Sequence, residues 1–294
     1  MGRGALLLLL TLALATAAAA ALPPSPSTPN PPHDDDLAAL QSSFAFLGPK
    51  PRPPYPVKWA DDDDASPAHD LHVDPGMLFL RKSLFPGAIL PEGTKFTTNA
   101  ASQSFLSRAA AEAIPFGSNH LDAILSTFRI PRGSTVADQV AATLRTCEEP
   151  SPPPEPHVCA TSRQAEAAFA ANALGVTSEP RAVVAVVHGE EDVTIRYAVG
   201  PNGVARIGKE VVACHPMPYP YMVHYCHRPA ASVEVLRVEL TRTDAGGGGA
   251  TVVAMCHGDT ASWDGRYFRM LNATRGEEIC HFMPRGYVLW LPAA

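Results

Sequence analysis

The side chains best suited to chemistry lie in the last 81 residues, as four Cys-His dipeptides: Cys214-His215, Cys226-His227, Cys256-His257 and Cys280-His281. The chain holds only 6 Cys and 11 His, so four adjacent pairs are a pattern that composition does not explain. In a β-strand successive side chains point to opposite faces. A Cys-His dipeptide in a strand therefore sends its sulfur one way and its imidazole the other. Four such pairs can close disulfides on one side and gather four imidazoles around a metal on the other. Imidazole nitrogens suit copper in an oxidised compartment. The competing arrangement uses thiolates and imidazoles together around zinc, but the chain has no compact C-x2-C knuckle to seed it.

Three further features bear on this choice. The stretch from Cys214 to His227 encloses Pro216 to Tyr221, rich in proline and aromatics, which suits a hairpin-like connection. Cys147 and Cys159 flank a proline-stiffened loop and are expected to form a local disulfide. Six cysteines allow 15 pairings, so Cys147, Cys159, Cys214, Cys226, Cys256 and Cys280 are disulfide candidates whose connectivity stays open at this level. His224 lies two residues before Cys226 and shares the sulfur face in a strand, away from His227. His188, beside Gly189 at an expected strand end, reads as a turn residue.

Positioning these groups requires a fold, and an oxidising compartment to keep the sulfurs bridged. The N-terminus has one basic residue, a short leucine-rich run and alanines from Ala17 to Ala21, the parts of a cleaved secretory signal over residues 1–21. No later segment is long and apolar enough to span a membrane. Residues 22–76 carry 13 of the 30 prolines and the acidic runs Asp34–Asp36 and Asp61–Asp64, a composition that resists folding by itself. A disordered leader is expected there, with the folded domain over 77–294. A net charge of -6 argues against a nucleic-acid binder. Asn272-Ala273-Thr274 is a glycosylation sequon.

Within the domain, 102–114, 121–128, 135–144 and 162–174 show helical spacing of apolar residues. After Pro180 the texture changes to short β-branched runs at 182–188, 193–199, 210–214, 233–240 and 251–256, separated by Glu190-Glu191-Asp192, Pro201-Asn202-Gly203 and the glycine-rich 244–249. These predict an α+β fold: a helix-rich N-terminal half packed on a β-rich, antiparallel C-terminal half.

The spacing of the four pairs is 10, 28 and 22 residues, and Trp290 follows His281 after eight more. This resembles the signature of the plant BURP-domain family, four Cys-His repeats followed by a Trp. Residues 114–118 (IPFGS), 143–150 (TLRTCEEP) and 159–162 (CATS) look like further landmarks of that family. The second gap is slightly long, through a turn lengthened by Gly246–Gly249, and the third slightly short.

The resemblance implies a secreted protein of the cell wall or apoplast, linked to development or stress. It also implies partners among wall polysaccharides or wall enzymes, as for a polygalacturonase β subunit. Some members are copper-dependent peptide cyclases that crosslink a Tyr or Trp, and the resemblance maps their copper ligands to His215, His227, His257 and His281. Pro53-Pro-Tyr55-Pro-Val-Lys-Trp59 is the one candidate core peptide, with Tyr55 and Trp59 as its reactive residues. The expected function is a non-catalytic or regulatory wall protein with a histidine-based copper site. The alternatives are a copper-dependent cyclase and a pectin-associated subunit. No catalytic residue is assigned.

Overall fold

The computed structural model describes residues 73–97, 103–150, 155–189, 195–231, 233–244 and 247–293. The expected signal, most of the leader, Tyr55, Trp59 and the Glu190–Asp192 turn lie outside them.

Two antiparallel sheets form the body. Their strands are β1 (Leu78–Leu80), β2 (His157–Ala160), β3 (Arg181–Val183), β4 (Val186–His188), β5 (Tyr197–Gly208), β6 (Val212–Pro216), β7 (His224–His227), β8 (Val233–Arg242), β9 (Gly249–His257), β10 (Ile279–Met283) and β11 (Val288–Leu291). One sheet has the order β1-β10-β9-β8-β5, with β4 also on β9; the other runs β2-β7-β6-β11-β3. The helices are α1 (Arg108–Ala113), α2 (Leu121–Thr127), α3 (Thr135–Glu148), α4 (Arg163–Leu174) and α5 (Gly265–Met270).

The sheets pack face to face through Ala213, Leu289 and Leu291 of the second sheet and Val233, Val235, Val253, Met255 and Met283 of the first. Helix α4 covers the outer face of the second sheet, where Ala170 packs with Val212, Cys214, Cys226, Val288 and Trp290. The outer face of the first sheet lies under Met77, Leu84, Leu90 and Phe96, which enclose Cys256, Cys280 and Phe282. Helices α1 to α3 form a separate core with Tyr219, Tyr221 and Val223 of the β6–β7 connection.

Serine caps set three helix starts. The hydroxyls of Ser107, Ser134 and Ser162 accept from the amides of Ala110, Ala137 and Ala165. The first of these shortens the helix expected over 102–114, because Ser107 caps it and the described residues before it are not helical. Helix α4 stops at Gly175, whose φ of 67° is the left-handed conformation that glycine adopts without steric cost.

The strand expected over 182–188 is divided. Residues 181–183 pair with β11 in one sheet and 186–188 with β9 in the other, so the chain changes sheets at Val184 and Ala185. The expected turn at Pro201-Asn202-Gly203 lies inside β5 rather than between strands. The register on β8 advances from Leu240 to Val238 while β5 advances from Val199 to Val204, so the turn is an excursion of one strand. A Cβ on Gly203 would come within 2.6 Å of the Glu239 carbonyl, so this excursion has no room for a side chain.

Candidate metal centre

All four Cys-His dipeptides lie on strands, in two antiparallel pairs. Cys214 on β6 faces Cys226 on β7 directly, and Cys256 on β9 faces Cys280 on β10. Each facing pair is a disulfide, and Cys147 and Cys159 close the third. The sulfurs point to the outer faces, into the cores under α4 and under the Met77–Phe96 segment. The imidazoles point the other way, on the face that carries Ala213 and Met255 into the space between the sheets.

Antiparallel register then determines how the imidazoles meet. Each histidine follows its cysteine by one residue, and the strands run in opposite senses. The two histidines of a pair therefore lie diagonally, one on each side of the bridged cysteines: His215 is opposite Tyr225, and His227 opposite Ala213. Diagonal neighbours are within reach of long side chains. The rings of His215 and His227 stack with centroids 5.2 Å apart, and those of His257 and His281 at 5.4 Å. Their Nε2 atoms approach to 3.1 Å and 3.3 Å.

These distances suit two arrangements. Without a metal, each pair can share one N–H···N hydrogen bond. With one, two nitrogens each about 2.0–2.1 Å from a shared ion stand roughly 2.9 Å apart at a right angle and roughly 3.3 Å apart at a tetrahedral angle. Both pairs fall within that range. The four expected ligands are thus arranged as two close imidazole pairs, or clamps, one in each sheet. No three of the four rings belong to the groups of donors lying within 4.8 Å of one another among the described residues. Those groups are Glu166, Cys214 and Cys226, and Glu234, Cys256 and Glu278. Their sulfurs are consumed in disulfides, so neither offers a thiolate site.

The two clamps influence each other across the inter-sheet space. Burial is the main cause holding all four imidazoles below their ordinary pKa near 6.5. His215 is depressed further by charge on His227 and His281, and His257, brought down to about 4, by charge on His227. On His227 the carboxylate of Glu155 opposes burial, whereas His157 adds to it. The rings are therefore neutral at neutral pH, the form that donates a lone pair to a metal. Aromatic rings flank both clamps: Tyr287 meets His215 edge-on at 5.3 Å, Tyr225 lies 5.8 Å from His227, and Trp263 lies 5.1 Å from His257. Burial, with Glu155 and Glu149 nearby, pushes the Tyr225 phenol up to about 12.

Behind one clamp is a buried polar cluster that sequence reasoning missed. Glu166 of α4 is fully buried; one carboxylate oxygen accepts from the Trp290 indole at 3.0 Å and lies 3.2 Å from His224 Nδ1, while the other accepts from Arg163 at 2.9 Å. His224 does occupy the sulfur face, away from His227, and Trp290 is a structural hydrogen-bond donor there. His188 ends β4 and lies 3.1 Å from the Thr251 hydroxyl, away from both clamps. Asn272 is exposed just after α5, with a φ of 48°.

The BURP domain profile matches residues 77–292. BURP domain-containing protein 4 of Oryza sativa subsp. japonica is 53% identical over 241 residues, covering 77% of this chain and 50% of that protein. BURP domain-containing protein 3 from the same plant is 38% identical over 228 residues, covering 75% of this chain and 52% of that protein. BURP domain protein RD22 of Arabidopsis thaliana is 31% identical over 229 residues, covering 75% and 57%. The chain thus spans about half the length of these relatives. A stapled pair of Cys-His strands in each of two sheets, with the profile match over almost the whole described region, places this chain in the BURP domain family.

Proposed function

We propose that this protein is a secreted plant wall or apoplast protein that binds two copper ions, one in each imidazole clamp. One observation carries the proposal: two pairs of neutral histidine Nε2 atoms, 3.1 Å and 3.3 Å apart, each held by a cross-strand disulfide. The donor chemistry supports copper. With all six sulfurs bridged, the clamps offer imidazole nitrogen alone, which suits copper and zinc, and the usual affinity order favours Cu(II). In this reading His215 and His227 hold one ion, and His257 and His281 the other. The disulfides fix the strand register that sets each clamp's bite. The role is regulatory or structural in the wall, with polysaccharide or a wall enzyme as partner.

A second reading is favoured by the openness of the clamps. Two protein donors leave coordination positions vacant, as at catalytic rather than structural metal sites. Copper supplies one-electron chemistry when bound. The residues of this chain would then hold and orient an aromatic peptide beside Tyr225, Tyr287 and Trp263, and Tyr55 or Trp59 is the substrate nearest in sequence.

Metal analysis of the secreted protein tests the first reading. Two copper ions per chain are expected, and none once His215, His227, His257 and His281 are all replaced by Ala. A wild-type protein that leaves a copper buffer metal-free would sink it. For the second reading, aerobic incubation of the copper-loaded chain followed by peptide mass spectrometry should show loss of two hydrogens within residues 50–65. An unmodified segment excludes self-crosslinking.

A further inference from the structure

The two clamps have different neighbours, and the difference is set by strand register. On the β9–β10 side, His257 is opposite Ile279 on one strand and Val233 on the other. His281 is opposite Met255 and Leu78. Every directly facing residue is apolar, and the indole of Trp263 fills the flank of His257. On the β6–β7 side, His227 is opposite Ala213 on β6 and His157 on β2. Residues directly opposite in an antiparallel pair project to the same face. His157 therefore stands on the metal-facing side of the sheet, in line with His227 and one row from Tyr225 and His215.

The ring of His157 is half-buried and stacks on Tyr225, with centroids 5.0 Å apart and planes 27° apart. The same tyrosine ring touches His227. Two residues after His157, the Cys147–Cys159 bridge ties β2 to the end of α3, so the strand that carries His157 is anchored.

From this juxtaposition we infer that His157 is a third imidazole donor at the β6–β7 clamp, which becomes a three-nitrogen site while the β9–β10 clamp keeps two. The inference rests on the clamps binding copper, and goes beyond it by making the two ions unequal. A change of side-chain rotamer carries the ring from the face of Tyr225 toward the ion, within the staggered set open to a strand residue. The three-nitrogen ion is the tighter bound, and the first to load.

The experiment isolates one clamp at a time in the full chain with its disulfides intact. The double variant His257→Ala/His281→Ala keeps only the β6–β7 clamp. Titrated with Cu(II) sulfate against a competing chelator, it should bind one ion, and its electron paramagnetic resonance spectrum should show coupling to three nitrogens. Adding His157→Ala should reduce that count to two. Affinity should fall at least about tenfold, the loss typical of removing even a supporting partner of a metal ligand. His157→Gln should behave likewise while melting as the parent does, which separates lost ligation from lost folding. In the converse background, His215→Ala/His227→Ala, replacing His157 should leave Cu(II) affinity unchanged. The inference is overturned if His157→Ala alters neither nitrogen count nor affinity at the β6–β7 clamp, or weakens both clamps alike. If neither clamp binds Cu(II) even in the wild-type chain, the copper reading falls together with it.

Discussion

The imidazole of His257 faces apolar strand neighbours and Trp263, and burial holds its pKa near 4 instead of the ordinary 6.5. In the unfolded chain that imidazole takes a proton at the higher pH, so between these values the unfolded state binds more protons than the folded one. Stability is complete above about pH 6.5 and falls as pH is lowered toward 4, by on the order of 3 kcal/mol from His257 alone. His215, His227 and His281 are shifted in the same direction and steepen the loss. Urea melts of the metal-free protein at pH 7.5, 6 and 5 should show a falling midpoint. Replacing His257 with Phe, which carries no proton, should flatten part of that slope; an unchanged slope would refute the assignment. At the same scale, the two-ion proposal predicts that the clamps lose their metal independently. His215→Ala/His227→Ala and His257→Ala/His281→Ala should each bind one copper ion fewer than wild type by native mass spectrometry. Loss of both ions from either double variant would mean one shared centre.

At the scale of elements, the join between α4 and the second sheet is polar where a helix-on-sheet contact is ordinarily apolar. The carboxylate of Glu166 is reached by Trp290 of β11, His224 of β7 and Arg163 of its own helix. Removing it leaves two buried polar groups, the Trp290 indole and the His224 ring, without this partner, at about 1–3 kcal/mol each. Glu166→Ala should lower the thermal midpoint by several degrees, more than Arg163→Ala, whose side chain is half exposed. Equal effects would show that the buried contacts carry no special weight. None of this was legible in the sequence. A glutamate in an alanine-rich helix reads as a solvent-facing residue, and its partners lie 58 and 124 residues away. The same limit explains which strands were foreseen. Most of the β-branched runs after Pro180 led to strands. By contrast β7 (HYCH) and β10 (ICHFM) have little β-branched content; their pairing follows from register and bridging. The alternation of Cys and His was still enough to place sulfurs and imidazoles on opposite faces. The division into two clamps was not, because it depends on which sheet each strand joins.

At the scale of the whole molecule, the outer surface bears on where the protein resides. Among the described residues no helix is long and apolar enough to cross a membrane. Three disulfides engage all six cysteines, a state that oxidising compartments maintain and the cytosol opposes. The sequon at Asn272 supplies an independent reporter of passage through such a compartment. Its side chain is exposed, and its left-handed backbone, with the amide donating to the Arg269 carbonyl, forms the turn that follows α5. An asparagine tolerates that conformation better than most residues, so the turn and the acceptor require the same side chain. Expressed in plant cells, the protein should therefore carry one N-linked glycan: enzymatic deglycosylation should lower its apparent mass, and Asn272→Gln should abolish the shift. The six thiols should resist alkylation until a reductant is added. A chain recovered from the medium without a glycan would mean that Asn272 escapes modification. Thiols that alkylate without reductant would contradict the bridged strands on which both clamps depend.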